Sequence, residues 1–379
     1  MKITFYCESG GFGGMEKVLI DTAIELSKSN YRVTVLMNSI NENPPFEEKL
    51  IKNNCNYVNI DIKHISFIKN IFRAYRLFTK YPSDIIHFYL GSVTSCQSAI
   101  LGAFLAKLVL KKTKINLIAT EQLDSMLKID KISFASKILK NITLKILSHI
   151  ICVSKSVHQN LISFFNINKN KTSIIYNSII VNDYKNHVLS KKREDLLPET
   201  NDKVVYIVPA RLEPIKGHKY LIEAISQIKE KIPKAIFFFL GDGTERKNIE
   251  SQIQEKKLEN NIKILGFQPN VADYLKVSDV FVLTSLSEGL PLSVIEGMAC
   301  ELPIIGSRIS GITELVVDGK NGYLPPAKDY QKISEYLLKL YLDPDLRNKM
   351  GEESFLIAKN KFDLKEITKE IDSVYKKLN

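Results

Sequence analysis

The chain is poor in cysteine, has no metal-ligand or disulfide spacing, and lacks a long apolar run. Its five cysteines, Cys7, Cys55, Cys96, Cys152 and Cys300, are scattered through 379 residues. None stands in a Cys-x-x-Cys pair or at a Cys/His ligand spacing, which argues against a zinc module and predicts a reducing compartment. The longest apolar stretch, Ala99 to Leu110, is interrupted by Lys107 and is too short to span a bilayer. Met1 to Glu8 reads as a first strand, without the apolar segment of a secretory signal. These absences predict a cytoplasmic protein, or one held peripherally on the cytoplasmic face of the inner membrane.

Acidic charge is scarce as well, but in one half only. Residues 1–180 carry 23 Lys/Arg against 12 Asp/Glu, an excess of 11, whereas residues 181–379 carry 30 of each. The whole net charge of +11 therefore lies in the first half. Such a field attracts nucleic acid, an anionic membrane surface or a phosphorylated substrate. Arginine is sparse there (Arg32, Arg73 and Arg76), and no run interleaves it with aromatic residues. Nucleic acid is thus the least expected of the three partners.

At this length two domains are expected. Strand-like and helix-like runs alternate, which predicts an α/β chain of doubly wound parallel sheets with helices on both faces. In the first half strands are expected at 3–7, 33–37, 85–88, 115–120 and 149–153, and helices at 16–29, 67–80 and 95–110. The pattern restarts in the second half, with strands at 204–209, 235–240, 262–265, 280–283 and 303–305 and helices at 218–232 and 245–257. The charged stretch 181–203, with Lys191-Lys192-Arg193 and Pro198, is the expected linker between domains 1–180 and 204–379. Two amphipathic helices, 346–361 and 364–378, close the chain, and the last can return to the first domain. Domains of this kind, facing one another, place a cleft at the carboxyl ends of both sheets.

What the chain does have in quantity at those ends is anion-binding chemistry. Glu288 and Glu296 bracket Glu-Gly-Leu-Pro-Leu-Ser-Val-Ile-Glu, which follows the strand at 280–283. Pro291 suits a helix start, and Glu296 falls about one turn inside it, behind free backbone N–H groups. The segment offers an anion site and two carboxylates suited to sugar hydroxyls; the plainer reading is a loop glutamate and an exposed helix glutamate. Arg211 and Lys216, in the loop after the strand at 204–209, suit a diphosphate, with guanidinium forking to two oxygens and ammonium supplying a point charge. They also fit a pair of solvated loop cations. Gly10-Gly11-Phe12-Gly13-Gly14 lets backbone N–H groups approach a phosphate, or is simply a tight turn. Gly241-Asp242-Gly243 and Gly266-Phe267 end two further strands, where a nucleotide base can rest. Asn177 reads as a turn residue.

Gly13-Gly14-Met15-Glu16, Ala210-Arg211 with Lys216-Gly217, Gly241-Asp242-Gly243, and Glu288 with Glu296-Gly297-Met298-Ala299 occur in this order over nearly the whole chain. Together they resemble the retaining glycosyltransferases of family 4, which have the GT-B fold of two Rossmann-like domains facing across a cleft. The resemblance implies a nucleotide-sugar donor, UDP-linked, and a metal-independent transfer with retention, by front-face departure and attack. Gly13 and Gly14 would contact the distal phosphate and donor sugar. Arg211 and Lys216 would neutralise the departing diphosphate, and Glu288 would hold the donor sugar's hydroxyls. The amides of Leu290, Pro291's neighbour Leu292, and Ser293 would approach sugar and phosphate, and Glu296 would take both ribose hydroxyls. Gly241 and Gly266 would line the nucleotide. No metal and no cofactor beyond the donor is implied.

One departure concerns the loop after the strand at 115–120. Relatives commonly carry a histidine there; this chain reads Thr120-Glu121-Gln122-Leu123-Asp124. Glu121 is the candidate to contact donor sugar or acceptor hydroxyl, with a helix-start glutamate as the plainer reading. The resemblance puts the acceptor in the basic half. Segment 128–149 has an apolar stripe with lysines around it, and Phe67 to Lys80 adds Lys69, Arg73, Arg76 and Lys80. Both favour a glycan or lipid-linked glycan acceptor at an anionic inner-membrane surface, as in surface polysaccharide, O-antigen or capsule assembly. Two rivals stand: a sugar-nucleotide 2-epimerase of the same fold, and a non-catalytic nucleotide- or nucleic-acid-binding protein.

Overall fold

Two parallel sheets organise the chain. A computed structural model describes residues 1–8, 13–38, 46–60, 66–92, 94–110, 114–122 and 133–379. It divides into two compact units, one of Met1–Ser178 with Leu364–Asn379 and one of Ile179–Asp363.

In the first unit the strands are β1 (Lys2–Cys7), β2 (Arg32–Met37), β3 (Asn56–Asn59), β4 (Ile85–Leu90), β5 (Asn116–Glu121), β6 (His149–Cys152) and β7 (Thr172–Ile174). They stand in the order β3-β2-β1-β4-β5-β6-β7 and every pair is parallel. All six residues of β4 and of β5 are buried, as a strand covered by helices on both faces requires. The winding runs one way from β1 to β3 and the other way from β3 to β7. Right-handed crossovers therefore set helices Gly14–Ser27 and Phe46–Lys52 on one face. Helices Phe67–Lys80, Gln97–Val109, Phe134–Ile146 and Lys155–Phe165 lie on the other.

The closing helix Leu364–Leu378 packs beside Gly14–Ser27. Tyr375 Oη lies 2.6 Å from His87 Nδ1, and His87 Nε2 lies 2.7 Å from Thr120 Oγ1. Tyr31 also bonds Asp372 of that helix. Burial drives the His87 imidazole down to about 3, so it stays neutral at the sheet's centre.

The second unit contains β8 (Val204–Pro209), β9 (Ala235–Leu240), β10 (Ile262–Gly266), β11 (Val280–Leu283), β12 (Ile304–Gly306) and β13 (Gly322–Tyr323). Their order is β10-β9-β8-β11-β12-β13, again parallel throughout. Phe237 and Phe239 of β9 pack with Tyr206, Leu221, Ile225 and Leu337 in its core. The strand order reverses between β8 and β11, so this is the switch point at which doubly wound sheets open a crevice.

Two expectations change. Stretch 181–203 is no free linker. It belongs to the second unit, forms helices Val181–Lys185 and Arg193–Leu196, and buries Val181, Tyr184, Leu196 and Leu197. Asp273 ties it down, with Oδ1 2.6 Å from His187 Nε2 and accepting from Ser190 N at 3.2 Å. Its many charges point outward, and composition registers only them. The strands β3, β7 and β13 were not expected at all. Each is a sheet edge of two to four residues without an apolar run.

Candidate functional site

The loops after β8 and β11 meet at the switch point of the second unit. Leu286 N donates to Ile215 O at 2.7 Å, and Thr284 Oγ1 donates to Gly217 O at 3.2 Å. Gly217 has φ of 67°, and a Cβ there would stand 2.2 Å from Thr284 O. Only glycine allows this left-handed turn and this approach together. The joined loops bring Lys216 Nζ to 2.6 Å from Glu288 Oε1, with Ser285 Oγ donating to the same oxygen at 2.7 Å. The Lys216 and Glu288 side chains are 18% and 11% exposed, so solvent reaches the pair without flooding it. Arg211, on the same β8 loop, is exposed, and no ion pair of it is found among the described residues.

Glu288 leads through Gly289, Leu290 and Pro291 into the helix Leu292–Ala299. Pro291 is the residue before the first turn rather than inside it, with φ of −70°. No side chain caps this end. The first-turn N–H groups of Leu292 and Ser293 have no acceptor within the helix, an arrangement that favours an anion. Glu296 lies one turn in and is buried, not exposed. Tyr184 Oη donates to its Oε1 at 2.6 Å.

Gly241 and Gly266 end β9 and β10 side by side, with Gly241 N donating to Gly266 O at 2.8 Å. Phe267, next in the chain, is an exposed aromatic ring at this rim. His218 follows Gly217 and is buried against Phe239, ring centroids 5.2 Å apart. Neither ring nitrogen has a hydrogen-bond partner. Burial, then the Lys216 charge, lowers its pKa to about 4.

The other candidates belong to the first unit. Gly13 and Gly14 open the helix Gly14–Ser27, where Gly13 N donates to the Glu16 Oε2 at 2.8 Å. Gly10, Gly11 and Phe12 lie outside the described residues, as do Leu123 and Asp124. Glu121 is the last residue of β5 and is engaged internally: Lys140 Nζ stands 2.6 Å from its Oε2, and both side chains are 2% exposed. Its Oε1 has no partner. Burial pushes this carboxyl above its ordinary range against the pull of Lys140. Asn177 exchanges hydrogen bonds with the Gln122 amide at 2.9 and 3.1 Å.

The structure thus brings Lys216 and Glu288 into contact, with Arg211 on the same β8 loop and Glu296 in the helix that the β11 loop leads into. Sequence reasoning missed Ser285, Tyr184 and Lys140. Ser285 was open to discovery as a hydroxyl three residues before Glu288 in one polar loop. Tyr184 had no local signal, being 112 residues from Glu296. Among the described residues no group of three or more His, Cys, Asp or Glu is placed to hold a metal ion. No described helix is long and apolar enough to cross a membrane.

Comparison with known proteins covers both units. The family model described as Glycosyltransferase Family 4 matches residues 12–183, and Glycosyl transferases group 1 matches residues 190–356. An Escherichia coli protein, UDP-Gal:alpha-D-GlcNAc-diphosphoundecaprenol alpha-1,3-galactosyltransferase, is 27% identical over 74% of this chain and 72% of its own. N-acetyl-alpha-D-glucosaminyl L-malate synthase of Bacillus anthracis is 28% identical over 53% of this chain and 52% of its own. Several further relatives are matched over only 39% to 62% of their own lengths. The crystal structure of Anabaena Alr3699/HepE in complex with UDP-glucose superposes with a TM-score of 0.82 at 22% identity, covering 100% of both chains.

Proposed function

Because the chain belongs to the family 4 glycosyltransferases of the GT-B fold, we propose that it moves a hexose or N-acetylhexosamine from a UDP-sugar to a lipid-linked glycan. The observation that carries this reading is the meeting of Lys216, Glu288 and an uncapped helix start at one switch point. A leaving diphosphate needs cations and free N–H groups already aimed at it, and a transferred sugar needs an acceptor for its hydroxyls. Lys216 and Arg211 supply the cations, Leu292 and Ser293 the amides, and Glu288 the carboxylate. Glu296, buried and fixed by Tyr184, is set to bind the ribose hydroxyls.

The reaction we propose retains the anomeric configuration and needs no metal. The bond from sugar C1 to the diphosphate oxygen breaks, and its electron pair leaves with UDP. The acceptor oxygen bonds to C1 on the same face, and its proton passes to the departing phosphate oxygen. The named substrates of the galactosyltransferase, UDP-Gal and a diphosphoundecaprenol-linked sugar, and the UDP-glucose held by the Anabaena protein favour this donor and acceptor class. The setting is surface polysaccharide assembly on the cytoplasmic membrane face, in keeping with the basic first half.

Thermal-shift screening of UDP-sugars, then product analysis with lipid-diphosphate acceptors in EDTA, tests the proposal. A stabilising donor, an acceptor-dependent product with the donor's anomeric configuration and undiminished activity in EDTA are expected. Epimer formation without any acceptor would support the epimerase instead, and no stabilisation by any nucleotide would sink both.

A further inference from the structure

Among the described residues, the helices on one face of the first unit's sheet carry no acidic residue. Phe67–Lys80, Gln97–Val109, Phe134–Ile146 and Lys155–Phe165 contain no aspartate or glutamate. On the opposite face, Gly14–Ser27 alone holds Glu16, Asp21 and Glu25, and Leu364–Leu378 holds Glu366, Glu370 and Asp372. The difference is one of side as well as of sum.

Apolar residues are exposed on the helices of that same face. Ile68 and Phe72, four apart on one helix, are 65% and 58% exposed. On the middle helix Leu105 and Leu108 are exposed, and on the third Phe134 (78%) and Ile138. The first two helices are pressed together at Gly102, where a Cβ would lie 2.6 Å from Ala74 Cβ and from Ile71 O. The third packs against the middle one. Three neighbouring helices therefore each expose apolar side chains, and the first and third also carry Lys69, Arg76, Lys80, Lys137 and Lys145. Separate exposed apolar residues are ordinary; neighbouring helices that expose them together, with cations and without acidic residues of their own, point to an interface.

We propose that this face is where the protein docks on an anionic bilayer, with the three helices lying flat and their exposed apolar side chains entering the headgroup boundary. Charge complementarity selects the occupant. A second copy would bring two basic faces together, whereas anionic lipid attracts every cation on the face while the apolar side chains leave water. The proposal rests on the lipid-linked acceptor reading and gives it a place: the sheet that the resemblance assigns to the acceptor is the one that meets the membrane.

The test is flotation of the full chain with vesicles of phosphatidylcholine, alone or mixed with phosphatidylglycerol, across a salt series. Binding to the mixed vesicles at low salt and little to phosphatidylcholine alone is expected. Phe72→Ser/Ile138→Ser should lower the partition by about tenfold or more at every salt concentration. Lys69→Gln/Arg76→Gln should lower it by about thirtyfold at low salt and far less at high salt. Stabilisation of both variants by UDP should equal that of wild type, showing an intact fold. The proposal is overturned if wild type ignores mixed vesicles at low salt. It also falls if the serine variant binds as wild type does, or if that variant only abolishes self-association. Vesicle binding without any response to UDP-sugars would instead sink the transferase reading and leave the docking face standing.

Discussion

Replacing Glu288 by glutamine should tighten UDP binding and slow sugar transfer, two effects of opposite sign from one atom. Glu288 Oε1 stands 2.6 Å from Lys216 Nζ. Lys216 must leave that pair, or share itself, to meet a diphosphate. Exposed ion pairs contribute up to about 1 kcal/mol, and because solvent still reaches both groups we keep that value for what the pair withholds from the ligand. Glutamine preserves the shape and an acceptor for Ser285 while removing the charge. UDP should then bind Glu288→Gln about fivefold more tightly. Transfer moves the other way. A charge-assisted hydrogen bond to a sugar hydroxyl contributes about 1.5–3 kcal/mol, so kcat should fall about 10- to 150-fold. Isothermal titration with UDP and initial rates with the donor measure the two effects. Lys216→Met should weaken UDP, and in the double variant the tightening must vanish, since no ammonium remains to be released. Weaker UDP binding by Glu288→Gln, or a tightening that persists without Lys216, refutes the reasoning.

Glu296→Ala should weaken UDP by about 10- to 150-fold but leave 2′-deoxy-UDP much less affected. Equal losses for both ligands would remove the ribose role, and Tyr184→Phe should give a smaller loss of the same kind. His218 supplies a pH signature. Its folded pKa of about 4 lies below the ordinary 6.5, so the unfolded chain takes up a proton the native ring refuses. Stability is therefore complete above about pH 6.5 and falls toward pH 4, by about 3 kcal/mol. His218→Leu should flatten that limb in urea melts taken between these pH values; an unchanged slope counts against the buried neutral imidazole. Glu121→Leu leaves Lys140 buried without its partner and should destabilise the first unit by about 3–5 kcal/mol. Glu121→Leu/Lys140→Leu should recover much of that loss in the same denaturation assay, and a double variant no better than the single one would argue against the pair.

What could be read from the sequence was set by range. The strands β8, β9 and β11 match their expected bounds because each is an unbroken apolar run, and burial on both faces demands that pattern. The edges Asn56–Asn59, Thr172–Ile174 and Gly322–Tyr323 carry no such demand. The same limit governs the site. Arg211, Lys216, Glu288 and Glu296 are legible one by one from strand-end position and residue type. That Lys216 and Glu288 neutralise each other across 72 residues is a fact of tertiary structure. So is the partnership of Glu121 with Lys140, which holds in the interior a carboxylate expected to contact donor sugar or acceptor hydroxyl. The basic half shows the limit most plainly. Phe67 to Lys80 and segment 128–149 read as two separate basic, amphipathic stretches, while 95–110 reads as a buried helix because its sequence is nearly all apolar. Strand order β1-β4-β5-β6 places that helix between the other two, and Leu105 and Leu108 emerge on it. A charge excess summed along a chain has no direction; the topology of a parallel sheet turns it into a face.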